Sequence, residues 1–240
     1  MIYHRKVLQI MPQPRVTEPK TLAEKAYDML SRYIVQGKLR PGEHILAKDL
    51  STRLGMGRTP VREALLRLQN EGIIICNSRH NYKVRILTQG DIKEIYDTLG
   101  ILEGAAAGAA PQIITSEDID RLEEYNAKMR QFAQKGDLST FGRWNHEFHG
   151  IFLDRYGNRM LHSLCDSIRR QVYAYPVQGG SLARWLEKSV REHREIIRMV
   201  RNNEGRRLEE YFREVHWGFN KNLRFIRDAF HPDGQTPVPF

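Results

Sequence analysis

The chain has 240 residues, of which 40% are hydrophobic and 28% are charged, a composition typical of globular rather than disordered proteins. No apolar run approaches the ~20 residues needed to cross a bilayer, and the first residues lack the apolar core of a signal peptide. The two cysteines, Cys76 and Cys165, give neither a disulfide framework nor a CxxC pair. These features exclude a membrane protein and a disulfide-rich secreted domain, and we expect a cytosolic protein without a membrane partner.

The excess positive charge is confined to the first third of the chain. Residues 1–88 contain 16 Lys and Arg against 7 Asp and Glu, whereas residues 89–240 contain 22 of each class. A basic segment joined to a neutral one suggests that the first binds a polyanion and that the second has another task. On charge alone, a merely solvated basic face is an equal alternative.

Three short helices are predicted in the basic segment, after an N-terminal arm at residues 1–16. Each has apolar residues at spacings of three and four and ends near a glycine. Thr59 is a possible N-cap of the third helix, with Pro60 at its first position. A tight turn between the second and third helices is typical of a helix-turn-helix. The predicted helices span residues 21–37, 46–55 and 58–72.

Two runs rich in β-branched residues follow, at 73–77 and 82–87, separated by the polar stretch SRHN. This pattern predicts a two-stranded hairpin with a polar tip. A hairpin after a helix-turn-helix makes a winged helix-turn-helix, which we assign to residues 17–88.

The third helix begins with residues suited to DNA. Arg58, Thr59 and Arg62 lie at its N-terminus, the part of a recognition helix that reaches base edges and phosphates. Arg58 and Arg62 are one turn apart, so one guanidinium can bind guanine while the other binds phosphate. Lys48 and the hairpin tip, residues 79–81, could bind the flanking backbone and minor groove.

The stretch GKLRPGEHILAKDLSTRLGMGRTPVREALLRLQNEGII resembles the DNA-binding domain of the GntR family of bacterial transcription regulators. The match covers about residues 20–87. The resemblance implies that six positions contact DNA, although Gly57 stands where Ser or Thr is usual and cannot supply a hydroxyl group. The implied DNA-binding residues are Lys48, Gly57, Arg58, Thr59, Arg62 and His80.

From residue 88 onward the sequence shows helical periodicity and almost no strand pattern. We therefore predict a mainly α protein, in which the winged helix-turn-helix is followed by an all-α helical bundle at residues 89–230 and a tail at 231–240. The stretch GAAAGAA in the first of these helices favours close helix contact. Pro111 is expected to end that helix, and Ser116 to cap the next. The six predicted helices span residues 89–110, 116–135, 138–155, 159–175, 181–201 and 204–229.

The stretch NHEFHGIF, residues 145–152, contains groups found in metal sites. On a helix, Asn145 and His149 are stacked at i and i+4 beside the buried arc, whereas His146 points about 60° further out. The zinc-peptidase motif HExxH fails, because Gly150 stands where the second histidine is required.

Two further histidines, His193 and His216, lie on otherwise apolar faces of other predicted helices. A lone histidine on such a face is more often a hydrogen-bonded core residue, whereas three from three helices favour a shared ligand. Periodicity leaves both possibilities open.

The helical region resembles the FCD domain, the effector-binding half of the FadR subfamily, in its six-helix VanR-like form. The resemblance implies a divalent metal, most readily Zn²⁺ with Ni²⁺ or Mn²⁺ as alternatives, bound by Asn145, His149, His193 and His216. Asn145 stands where the family usually has Asp. Leu99 stands where many members have an arginine that receives an acidic effector, which leaves the metal as the main positive group available to such an effector.

Together these features predict a bacterial repressor that binds a pseudo-palindromic operator as a homodimer and responds to a small carboxylic acid. Two alternatives remain. One is a metalloenzyme with a DNA-binding appendage, although no base or nucleophile is identifiable near the histidines. The other is an architectural DNA-binding protein whose helical domain only dimerises.

Overall fold

The computed structural model describes residues 19–78, 81–173 and 182–230. The predicted arm at 1–16, the tail at 231–240 and the predicted DNA contact His80 lie outside the described residues. Within them, the predicted mainly α fold is confirmed: a small winged-helix unit precedes a set of packed helices.

The winged-helix unit contains one more strand than predicted. The antiparallel sheet has the order β1-β3-β2, with His44 paired to Lys83 and Leu46 to Asn81. The extra strand has only three residues, too few for an alternating pattern to be visible in the sequence. The elements are α1 (Leu22–Val35), β1 (His44–Leu46), α2 (Ala47–Leu54), α3 (Arg58–Asn70), β2 (Ile74–Ser78) and β3 (Asn81–Val84).

Recognition helix α3 begins earlier than its capping residues suggested. Gly57 is the N-cap, and no side chain caps the helix, so the prediction of Thr59 as cap was wrong. Pro60 accordingly occupies the third helical position, where the missing N–H still removes no helical hydrogen bond. The first amide groups of α3 are therefore left for water or for an anion.

The remaining helices surround α4, which packs against most of the others. The predicted close contact along its small residues is confirmed, since a Cβ added at Gly104 would lie 3.2 Å from Cγ of Arg213. These helices are α4 (Gln89–Ile113), α5 (Ser116–Lys135), α6 (Leu138–Tyr156), α7 (Arg159–Tyr173), α8 (Leu182–Arg201), α9 (Gly205–Tyr211) and α10 (Phe219–Phe230).

The predicted end of α4 and the predicted cap of α5 were wrong, whereas the predicted range of α5, 116–135, is confirmed. Pro111 lies inside α4, which continues to Ile113, because a proline in the last turn removes a single hydrogen bond while Ile114 still donates to the carbonyl of Ala110 at 2.9 Å. Thr115, rather than Ser116, caps α5 and forms a capping box with Asp118.

The last predicted helix, 204–229, is divided in the structure. After α9 the chain forms a π-helical turn, Phe212–His216, and then breaks before α10. Gly218 permits this break, because a Cβ there would lie 2.2 Å from the carbonyl oxygen of Glu214. Such π turns occur frequently at functional sites, and His216 is the last residue of this one.

Candidate functional site

Three helical segments bring three histidines together in the protein interior. His149 on α6, His193 on α8 and His216 on the π turn each offer a ring nitrogen, and these atoms all lie within 4.8 Å of one another. The three residues are 1%, 0% and 9% exposed. The three residues that periodicity placed on separate apolar faces therefore form one buried cluster, hereafter the histidine cluster.

His146 does not join the cluster. Its side chain is 51% exposed and lies near Asp166. The outward direction predicted from its position on the helix is confirmed, and the stretch NHEFHGIF contributes one histidine to the cluster.

Two buried carboxylates hold two of the imidazole rings. Nδ1 of His149 lies 2.7 Å from Oε2 of Glu103, and Nδ1 of His216 lies 3.1 Å from Oε2 of Glu192. Because a carboxylate can only accept, Nδ1–H of His216 donates to Glu192. The short distance from Nδ1 of His149 to Glu103 favours a proton on Nδ1 there as well, so that each Nε2 keeps its lone pair. Carboxylates commonly orient metal-binding histidines in this way.

Burial keeps the rings of His149 and His193 uncharged. It lowers the pKa of His149 to about 4, although Glu103 acts in the opposite direction. Burial, with His216 and His149 nearby, lowers the pKa of His193 well below its ordinary value. Burial alone would raise the pKa of Glu103, but His149 and Arg169 hold it below its usual range. Neutral imidazole is the form that binds a metal, so His149 and His193 need release no proton near pH 7.

The ring nitrogens are placed as ligands of one cation would be. Nε2 of His149 and Nε2 of His216 lie 3.2 Å apart, close to the ~3.3 Å between two nitrogens each about 2.0–2.1 Å from a tetrahedral zinc ion. Neither nitrogen of His193 has a hydrogen-bond partner among the described residues. Facing lone pairs and a buried ring without a partner are costly unless a cation lies between them. The donor set therefore fits a divalent metal of the imidazole-binding kind.

Asn145 lies one turn before His149 on the same helix. Its side chain is 3% exposed and lines the cavity next to the cluster. This position is compatible with the predicted role as a fourth ligand, which remains a prediction.

Sequence reasoning missed two charged residues of this region. Glu192, which accepts from His216, precedes His193 directly, and a buried acid beside a candidate ligand could have been noticed. Arg169 on α7 is 2% exposed, with Nε 3.4 Å from Oε1 of Glu103. Leu99 is fully buried in the core. Arg169 also lines the cavity beside the cluster and offers a positive group that the sequence did not suggest.

A cavity of about 330 Å³ lies beside the histidine cluster. His216, Asn145 and Arg169 contribute polar groups to its wall, and its size is at the small end of ligand cavities, which begin near ~300 Å³. Much of the remaining wall is apolar and aromatic, including Leu138, Phe141, Val172, Trp185 and Leu186. The space suits a small molecule with an apolar body and one polar end.

The predicted DNA-contacting residues within the described part of the chain form an exposed surface. Lys48 on α2 and Arg58, Thr59 and Arg62 at the start of α3 are exposed, as is Gly57. Neither arginine takes part in an ion pair with another described residue. Unpaired cations beside uncapped helical amides are suited to binding phosphate.

Two protein-family profiles match the chain. "Bacterial regulatory proteins, gntR family" matches residues 22–84, and "FCD domain" matches residues 94–215, half of the chain. The chain belongs to the GntR family and carries an FCD domain. This GntR-family protein is therefore a DNA-binding transcription regulator, and the relatives it resembles are named as regulators rather than enzymes.

The relatives support the same assignment. The HTH-type transcriptional regulator YdhC of Bacillus subtilis (strain 168) is 26% identical over 188 residues, covering 78% of this chain and 84% of the relative. McbR of Escherichia coli (strain K12) is 31% identical over 134 residues, covering 56% of this chain and 59% of McbR. Among the described residues of this GntR-family protein, no helix is long and apolar enough to span a membrane.

Solved structures show the same fold at low identity. E. coli McbR/YncC superposes with a TM-score of 0.67 at 21% identity, covering 88% of this chain and 99% of that one. A GntR regulator from Rhodococcus sp. RHA1 gives a TM-score of 0.68 at 18% identity, with coverage of 85% and 97%. These similarities establish the architecture of the GntR-family protein, and ligands must be inferred from its own residues.

Proposed function

We propose that this GntR-family regulator is a repressor that binds a pseudo-palindromic operator as a homodimer. Two-fold symmetric proteins bind two-fold symmetric sites, and a single recognition helix reads only a half-site. A repressor role is favoured by the relative RspR of E. coli (strain K12), named a transcriptional repressor, which is 21% identical over 220 residues. Because its target would be chromosomal DNA, we expect it to act in the cytoplasm.

Operator recognition would rest on the N-terminus of α3. Arg58 would bind guanine in the major groove, Arg62 and Lys48 would bind phosphate, and the amides of Gly57 and Thr59 would bind phosphate at the uncapped helix end. His80, which lies outside the described residues, is also proposed to contact the flanking DNA. These roles are supported by the exposure of five residues in the described part of the chain: Lys48, Gly57, Arg58, Thr59 and Arg62.

The helical domain would bind a divalent metal, Zn²⁺ in the first instance, through His149, His193, His216 and Asn145. Support comes from the two buried carboxylates behind the rings and from the His193 nitrogens, which have no partner within the described part of the chain. A cation there would bind the carboxylate of an acidic effector as a Lewis acid.

The observation that carries the proposal is the cavity of about 330 Å³ that meets the histidine cluster at His216. Its aromatic and aliphatic wall favours a small carboxylic acid with an apolar body over a highly charged polyacid. Arg169 and the metal would then receive the carboxylate end.

A thermal-shift screen of small organic acids on metal-free and zinc-loaded protein tests the proposal. Benzoate, phenylacetate and hexanoate would be compared with citrate, and the acids that bind would be added to an operator-binding assay. We expect at least one apolar monocarboxylate to raise Tm only in the zinc-loaded protein and to change operator affinity. Equal shifts in wild type and in His193→Ala/His216→Ala would contradict an effector site at the metal.

A further inference from the structure

Two consecutive arginines on α7 contact different parts of the molecule. Arg169 is buried beside the histidine cluster, where Nε lies 3.4 Å from Oε1 of Glu103 and Nη2 donates to Asp166 at 2.8 Å. Arg170 instead places Nε 3.4 Å from Oε1 of Glu71, in the winged-helix unit. Neighbouring residues of a helix point about 100° apart, so one helix can contact both regions.

Glu103 connects Arg169 to the histidine cluster. Its Oε2 lies 2.7 Å from Nδ1 of His149 and accepts a hydrogen bond from Nε1 of Trp217 at 3.0 Å. The carboxylate is 1% exposed and is shared between a histidine of the cluster and an arginine of α7. A cation bound at Nε2 of His149 would therefore add positive charge next to Glu103 and alter how strongly Glu103 attracts Arg169.

Glu71 connects Arg170 to the recognition helix. It is the C-cap residue of α3, and it is 8% exposed. Tyr27 of α1 donates its hydroxyl to Oε2 at 2.6 Å, and Nε of Arg67 lies 3.4 Å from Oε1. A largely buried carboxylate is costly without its partners, so these contacts fix the end of α3 relative to α1 and α7.

The next residue of α7 adds a second contact at the same junction. Oε1 of Gln171 accepts from Nη1 of Arg85 at 3.5 Å, and a Cβ at Gly72 would lie 3.3 Å from the Gln171 side chain. Gly72 directly follows the C-cap of α3 and has a φ of +73°. Helix α7 thus packs on the turn that ends the recognition helix.

We infer that Arg169 and Arg170 link the histidine cluster to the recognition helix, so that metal binding at the cluster changes operator affinity through α7. The ion-paired path runs from His149 through Glu103 to Arg169, and from Arg170 to Glu71. This inference rests on the metal site of the proposed function and names how that site is coupled to DNA. Arg169 and Arg170 are positioning residues, since they act on α3 through Glu71.

The experiment measures operator Kd for metal-free protein and for protein saturated with Zn²⁺, in wild type, Arg170→Gln and Arg67→Gln. Arg67 also contacts Glu71 but lies on α3 itself, so Arg67→Gln removes a partner of Glu71 without removing the contact to α7. The readout is the ratio of the two Kd values, which a general loss of stability or of phosphate contacts leaves unchanged. Zinc Kd is also measured with and without operator.

We expect the wild-type ratio to differ from one by at least about 5-fold, as for typical allosteric coupling, and the zinc Kd to change by the same factor when operator is added. In Arg170→Gln, zinc should change operator Kd, and operator should change zinc Kd, by less than about 2-fold. Arg67→Gln should keep the wild-type ratio.

If Arg170→Gln has the same ratio of Kd values as wild type, the link through α7 is overturned and the proposed function stays intact. If the ratio of Kd values falls to one in Arg67→Gln as well, the link is also overturned. The effect would then not depend specifically on the contact between Arg170 and Glu71. A wild-type ratio of one would overturn the link, while the proposed effector site at the histidine cluster would stand, because it is tested by the thermal-shift screen.

Discussion

His149 and Glu103 form a buried pair, with Nδ1 and Oε2 2.7 Å apart and each side chain 1% exposed. The pair joins α4 to α6 at the centre of the helical domain. Because Glu103 fixes the ring and its tautomer, Nε2 of His149 is held facing the other two histidines. The arrangement of the cluster therefore depends on an acid that is not itself a candidate ligand.

Replacing this acid should weaken metal binding. Glu103→Gln is expected to lower zinc affinity by about 10–100-fold, the usual effect of removing a carboxylate behind a metal-binding histidine. Competition with a chromophoric chelator measures the affinity, and circular dichroism checks the fold. Glu124→Gln, an exposed acid paired with Lys128 on α5, is the matched control and should bind zinc like wild type. Unchanged affinity in Glu103→Gln would show that Glu103 does not orient a ligand.

The start of α3 should separate base recognition from phosphate binding. Arg58→Ala is expected to lower affinity for the operator by about 1–3 kcal/mol and to relax preference at one base pair, because a guanidinium bound to guanine is lost. Lys48→Ala should weaken operator and random DNA alike. Competition binding at fixed salt, using an operator selected from randomised DNA, provides the measurement. Equal losses on both DNAs for Arg58→Ala would rule out its base-reading role.

Asn145→Asp tests whether the residue is a ligand. A carboxylate binds a dication more strongly than an amide does, so we expect several-fold tighter zinc binding and weaker binding of any anionic effector. At saturating zinc, effector-free operator affinity should stay nearly unchanged. Calorimetric titrations and melting curves give these quantities.

The alternative is that Asn145 serves only in the core, in which case an added buried charge would lower Tm without improving zinc affinity. Asn126→Asp is the matched control, since Asn126 is a buried amide on α5 that donates to the carbonyl of Val190. It should lower Tm and leave zinc affinity unchanged. The same behaviour in Asn145→Asp would leave the three histidines as the whole protein ligand set.

Asp118 should contribute to acid stability. It is 1% exposed, accepts from the Thr115 amide and hydroxyl, and pairs with Arg155 at 2.7 Å. Burial alone would raise the pKa of Asp118, but hydrogen bonds from Arg155 and Thr115 hold it below its usual value. A carboxyl with a lowered pKa stabilises the fold above its unfolded pKa of about 3.9, and this contribution is lost as pH falls further.

Asp118→Asn is therefore expected to lower the free energy of unfolding by about 1–3 kcal/mol at pH 7, with the difference from wild type shrinking below pH 4. Urea unfolding at several pH values measures it. Asp97→Asn, at an exposed ion pair on α4, should change stability little at any pH. A pH-independent difference for Asp118→Asn would contradict the role of its charge.

Much of the site was predictable because it depends on local periodicity. A period of 3.6 residues placed His149 and His193 on buried faces and His146 outside, and the structure agrees. Likewise, an arginine-rich helix start after a tight turn predicted the exposed surface at Arg58 and Arg62. Motif spacing and helical geometry suffice for such features.

The remaining features depend on contacts between distant segments. Glu103 and His149 are separated by 46 residues in the chain, so their pairing is visible only once α4 and α6 pack together. Arg169 reaches the cavity from α7, whereas the family arginine would stand at Leu99 on α4, and no spacing rule anticipates this placement. The π turn at His216 depends on the close approach at Gly218, whereas periodicity alone predicted an unbroken helix.

The metal content of the protein purified without chelator, measured by elemental analysis, tests the metal site directly. We expect about one divalent ion per chain, most readily Zn²⁺, for wild type and for His146→Ala, whose exposed side chain lies outside the cluster. His193→Ala/His216→Ala should contain almost none. Equal metal content in wild type and in the double variant would contradict a metal site at the histidine cluster.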